Sequence, residues 1–144
     1  MWRARGPPIA LGDGATPLAV QVPLSQTPST ILVIAKEPLI QTLMCSLVDL
    51  SGHHAVQRRS DESVASAIVR AQPRVLLLDC EHDAACEDDA YRAAKSVGAT
   101  VLLFTPSRSR AEVADLAAAR GLQSMALPIR LHEFSETLQS SLSA

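Results

Sequence analysis

The sequence predicts an α/β domain built on a five-stranded, doubly wound parallel sheet, and three observations carry that reading. The stretches "ILVIA", "VLLL" and "VLLF", beginning at residues 31, 75 and 101, are too short for helices and lack polar alternation, as expected of strands covered on both faces. Between them lie segments whose apolar residues recur at three and four, the mark of helices crossing over a sheet. The runs also end on polar groups, Lys36, Asp79 and Thr105, at one end of the sheet.

Each element follows in order. The first strand is expected at about Thr30 to Ala35. The next segment sets Leu39, Leu43, Leu47 and Leu50 on one helical face, with Ile40 and Met44 beside them, and Gly52 ends that helix. "HHAVQRR" reads as a short, polar second strand near a sheet edge. "SDESVASAIVRAQ" reads as a helix with Val64, Ile68 and Ala71 inward, capped by Ser60 or Asp61 and stopped by Pro73. "RVLLLDC" is the central strand, with Asp79 at its carboxyl end. A third helix is expected at about Cys86 to Val97 on a face of Ala90, Tyr91, Ala94 and Val97, and "ATVLLFT" is the fourth strand. Ser109 and Glu112 form a capping box ahead of "AEVADLAAARG", where Val113, Leu116 and Ala117 share a face and Gly121 is the stop. "SMAL" is the fifth strand, and "LHEFSETLQSSL" the last helix, with Phe134, Leu138 and Leu142 inward. Five strands alternating with five helices give a flavodoxin-like sheet of order 2-1-3-4-5 with right-handed crossovers, whose sites gather at the carboxyl ends of the strands.

Composition narrows the function. The chain has 144 residues, 47% of them apolar, enough for one core without disulfides or metal. Its 13 basic and 15 acidic residues are spread along the chain, a net charge of −2, so neither nucleic acid nor a membrane surface is implied as partner. Three cysteines without a framework of spacings, Cys45, Cys80 and Cys86, point to a reducing compartment, and we expect a soluble cytoplasmic protein. Residues 1 to 29 hold five of the nine prolines and no apolar period; they read as a flexible tail, with the domain spanning 30 to 144.

Across residues 30 to 144 the strand ends resemble those of response-regulator receiver domains, the phospho-accepting modules of bacterial two-component signalling. That resemblance implies a pair of acids holding Mg²⁺ after the first strand and an aspartate taking a phosphoryl group at the end of the third. It further implies a Ser or Thr followed by a small residue after the fourth, and a Lys-Pro after the fifth. "ILVIAKEP" keeps the rhythm but puts Ala35 and Lys36 in place of the acids, leaving only Glu37. "VLLLDC" keeps the acceptor position as Asp79. "VLLFTP" keeps Thr105 but follows it with Pro106, which has no N–H to give to a phosphoryl oxygen. "ALPIR" keeps Pro128 and replaces the lysine with Leu127; Asp83 or Ala84 stands where a proline usually follows the acceptor, and no aromatic residue precedes Leu127.

The chain thus resembles a degenerate, or pseudo-, receiver. By that resemblance it is a non-enzymatic module without metal or cofactor that binds a signalling protein, or a second copy of itself, through helix 4, strand 5 and helix 5. The small residues Ala114, Ala117, Ala118 and Ala119 would let another helix approach closely. Two other functions remain open: a receiver still phosphorylated on Asp79 through an altered pocket, and an unrelated flavodoxin-like enzyme or cofactor binder. Lys36 has two readings, an ammonium replacing the metal charge beside Asp79, or a solvated side chain. "DCEHDAACEDD" gathers Cys80, His82, Asp83, Cys86 and Asp88 without zinc spacing, and His53 and His54 lie apart from it; Cys80 and Cys86 lack C-x-x-C spacing. No glycine-rich phosphate loop follows the first strand, no G-x-S-x-G motif is present, and Ser109 in the basic-looking "SRSR" is explained as a helix cap.

Overall fold

In a computed structural model, which describes residues 27 to 143, the aliphatic runs form one parallel sheet. The elements in chain order are β1 (Thr30–Ile34), α1 (Pro38–Leu50), β2 (His54–Gln57), α2 (Val64–Ala71), β3 (Val75–Asp79), a 3₁₀ turn (Asp83–Cys86), α3 (Asp88–Ser96), β4 (Thr100–Thr105), α4 (Arg110–Ala119), β5 (Gln123–Ala126) and α5 (Leu131–Leu142). The sheet order is β2-β1-β3-β4-β5, as the sequence predicts. Of the proline-rich segment expected at 1 to 29, residues 1 to 26 lie outside the described residues.

Strand alternation divides the core in two. Leu32, Ile34, Leu76, Leu78, Val101 and Leu103 pack with α2 and α3, through Ile68, Ala90 and Ala94. Their neighbours Ile31, Val33, Val75, Leu77, Leu102 and Phe104 pack on the opposite face with Met44 and Val48 of α1 and Phe134 and Leu138 of α5. A strand whose every residue meets apolar cover has no polar alternation to display, which is why β1, β3 and β4 read as continuous runs. β2 is half-buried and at the sheet edge, hence its polar sequence.

Several local expectations are corrected. The leucine stripe of α1 is mostly outward: Leu39, Leu43 and Leu50 are 78%, 45% and 69% exposed, whereas Leu47 and Ile40 pack at the margin of the core and Met44 and Val48 are buried. The inward face instead includes Gln41, whose amide is tied to the end of β1. α2 is capped by Ser63, which accepts from the Ser66 N–H at 3.1 Å, rather than by Ser60 or Asp61. Leu116 is 40% exposed because Val113 and Ala117 fill the inward side of α4. The third helix runs Asp88–Ser96, within two residues of its expected bounds, and a separate 3₁₀ turn, Asp83–Cys86, precedes it. The capping box of Ser109 and Glu112 is present as expected.

The loop entering α2 is held by Glu62, whose carboxylate receives Arg70 Nε at 2.6 Å and Nη2 at 2.8 Å. This guanidinium holds the Glu62 carboxyl well down, at about 2. A depressed folded pKa contributes stability that is complete above the ordinary carboxylate range and is lost as pH falls toward 2. Glu62→Gln should therefore flatten the acid dependence of unfolding below about pH 4.5, as read from urea midpoints across that range.

Candidate functional site: the carboxyl ends of the strands

The chain bends at Lys36 and Glu37 immediately after β1, because Pro38 opens α1 and disfavours helical geometry at the residue before it. That bend turns the backbone of residue 36 toward β3. The Lys36 N–H donates to Asp79 Oδ2 at 3.1 Å, and the Glu81 N–H donates to Asp79 Oδ1 at 2.9 Å. Asp79 is 1% exposed, so its carboxylate is a buried acceptor with a main-chain donor on each oxygen.

The ammonium of Lys36 does not supply that partner. The residue is exposed and makes no ion pair among the described residues, which corrects the reading that its charge sits against Asp79. Position 36 does meet Asp79, but through its backbone N–H, which any non-proline residue would provide.

The other predicted residues take separate tasks. Ala35 is half-buried, and its N–H donates to Gln41 Oε1 at 2.9 Å, while Gln41 Nε2 donates to the Val33 carbonyl at 2.8 Å. Gln41 thus ties α1 to the end of β1, a role that nothing in the hydropathy pattern marks. Glu37 is exposed and precedes α1 without a side-chain cap. Thr105 is fully buried; its hydroxyl pairs with Ser107 Oγ at 3.0 Å and accepts from the Ser107 N–H at 3.3 Å. Pro106 is exposed. Leu127 packs against the core beneath α5, and a cis peptide bond joins it to Pro128. Arg108 and Glu81 pair across the mouth between the loops after β4 and β3.

The acidic loop does not assemble a metal centre: among the described residues, no group of three or more His, Cys, Asp or Glu side chains is placed to hold an ion. His82 Nδ1 accepts from the Ala84 N–H at 3.1 Å, capping the 3₁₀ turn. Burial pushes the Cys80 thiol up, and the Asp79 charge adds to it, so Cys80 is held protonated, the reverse of a reactive thiolate. His53 lies at the opposite end of the sheet, where its Nδ1 accepts from the Ser29 N–H and burial lowers its pKa.

The strand-end rule also applies to β2, where sequence reasoning assigns no site. Gln57 and Arg58, at the end of that strand and just after it, line a cavity of about 250 Å³ together with Lys36 and His82. The signal is available in "QRR", since a basic pair directly after a parallel strand has the same address as Asp79.

No protein-family model matches this sequence, and no curated protein matches it. Solved structures match its fold. The receiver domain of a sensor histidine kinase from Pseudomonas aeruginosa, described with a magnesium ion coordinated in its active-site cleft, superposes with a TM-score of 0.65 at 16% identity, over 82% of this chain and 100% of that one. A response regulator from Thermotoga maritima gives 0.66 at 11% identity over 82% and 100%. A CheY-like receiver domain protein from Methanospirillum hungatei gives 0.63 at 16% identity over 81% and 95%.

Proposed function

We propose that this chain, which has the fold of response-regulator receiver domains, is a pseudo-receiver: a phosphorylation-independent, non-enzymatic protein-interaction module of bacterial signal transduction. The observation that carries this reading is the state of Asp79. Both of its oxygens already accept main-chain N–H groups, and Ala35 and Lys36 bring no carboxylate beside it. Magnesium needs several oxygen ligands in near-octahedral order, and this donor set does not fit it. Phosphoryl transfer relies on metal and cation stabilisation of the moving charge. Leu127 and Pro106 remove an ammonium and an N–H from that task as well.

The interaction face is α4, β5 and α5. In support, β5 is the open edge of the sheet, Ala114, Ala118 and Ala119 are exposed beside it, and Leu116 and Leu131 are 40% and 42% exposed on the same two helices. Ala117 belongs to the core and drops out of the face.

Acetyl phosphate with Mg²⁺ should leave the intact mass of the protein unchanged. A phosphoryl adduct abolished by Asp79→Asn would overturn phosphorylation independence and favour the altered-pocket receiver. Ala114→Arg with Ala118→Arg should abolish retention of the partner recovered from native cytoplasm, or self-association of the pure protein. Loss on Leu39→Ser with Leu43→Ser instead would move the face to α1.

A further inference from the structure

The cavity lined by Lys36, whose backbone N–H meets Asp79, has the opposite electrostatic character to a magnesium site. It opens at the carboxyl ends of β1 and β2, one strand over from the β1–β3 crevice where the order of the sheet reverses and where ligands of this architecture usually sit. Lys36, Arg58 and His82 line it, with Gln57 beside them, and no carboxylate is in the lining. Neither Lys36 nor Arg58 makes an ion pair among the described residues; the Arg58 guanidinium donates to the Glu62 carbonyl at 2.7 Å, which leaves most of its donors free. Because His82 Nδ1 accepts the Ala84 N–H, the neutral imidazole carries its proton on Nε2 as a further donor.

Glu37, exposed between the lining residues Lys36 and Pro38, makes no ion pair among the described residues, whereas the other nearby acids are occupied or face a second depression. Asp79 receives two main-chain N–H groups, Glu81 is paired with Arg108, and Glu62 with Arg70. Asp83, Glu87 and Asp89 line a second depression that Arg58 and His82 also border, and they form no ion pair with either. At about 250 Å³, the cavity is smaller than a drug-sized pocket and has room for a compact anion.

We propose that this cavity binds a small phosphate oxyanion, either free phosphate or a phosphate monoester, between the Lys36 ammonium, the Arg58 guanidinium and the His82 Nε2–H. Guanidinium- and ammonium-bearing residues lining one cavity suit the several acceptor oxygens of such an anion. Replacing an acid pair by Ala35 and Lys36 would then have exchanged a cation site for an anion site. The cavity is a different surface from α4, β5 and α5, so anion binding stands or falls separately from the partner interface.

Titrating inorganic phosphate, and in a second arm glycerol phosphate, into the full chain at constant ionic strength tests it by amide NMR. Saturable shifts confined to Lys36, Gln57, Arg58 and His82 are expected, and a tighter glycerol phosphate curve would identify a monoester as the ligand. Arg58→Gln should weaken binding by roughly tenfold or more, and Lys36→Gln with Arg58→Gln by roughly the square of that factor, since each change removes one charge-assisted hydrogen bond. Both positions are exposed, and a retained amide spectrum verifies the fold of each variant. Diffuse shifts that chloride reproduces, or unchanged affinity in the folded double variant, would overturn the proposal.

Discussion

Asp79→Ala should destabilise the domain by about 1–3 kcal/mol, because it takes the buried acceptor from the part-buried Lys36 and Glu81 amides. Asp79→Asn should cost less, since its one carbonyl oxygen can keep one of the two. Lys36→Met retains the backbone N–H and should change stability by no more than about 0.5 kcal/mol. In a cycle with Asp79→Asn the two substitutions should be additive within about 0.5 kcal/mol. Urea unfolding of the four proteins reads this directly. A coupling well above that margin would show that the ammonium does reach the carboxylate.

Met44→Ala should cost about 2–4 kcal/mol, since Met44 is fully buried between α1 and the sheet and its truncation opens a cavity in the cluster that holds Val33 and Phe104. Leu39→Ala, on the outward side of the same helix, should change stability by no more than about 0.5 kcal/mol. Denaturant midpoints with unchanged m-values would verify the contrast. The reverse order of effects would mean that α1 sits rotated, with its leucines on the sheet.

That contrast also shows what the sequence makes legible. The strands covered on both faces, β1, β3 and β4, can be read because burial on two sides leaves only one composition available. The inward face of α5 is legible too, since Phe134 and Leu138 are its only large apolar residues between the terminal leucines. That of α1 is not. It carries apolar residues around more than half its circumference, so period alone selects the stripe of leucines, whereas packing selects Met44, Val48 and the Gln41 amide.

The candidate site divides in the same way. Strand ends give the addresses of Ala35, Lys36, Asp79 and Thr105, because topology fixes where strand ends converge. Which atom of Lys36 meets Asp79 depends on the bend forced by Pro38, a backbone effect that residue types do not display. Arg58 escapes a sequence reading that treats β2 only as an edge, although its strand end lines a cavity with Ala35 and Lys36. Thr105 stands at its expected address, but its hydroxyl is engaged by Ser107 two residues on, a local turn contact.

The central claim is that the pocket around Asp79 no longer accepts a metal-supported phosphoryl group. Amide NMR with Mg²⁺ and beryllofluoride, a mimic of that group, tests it most directly. We predict that the amides of Glu81, Thr105 and Ser107 stay where they are. The combined restoration Ala35→Asp, Lys36→Asp, Pro106→Ala and Leu127→Lys should gain Mg²⁺ binding on the same scaffold. Saturable beryllofluoride shifts clustered at Asp79 and Thr105 in the unaltered protein would contradict the claim.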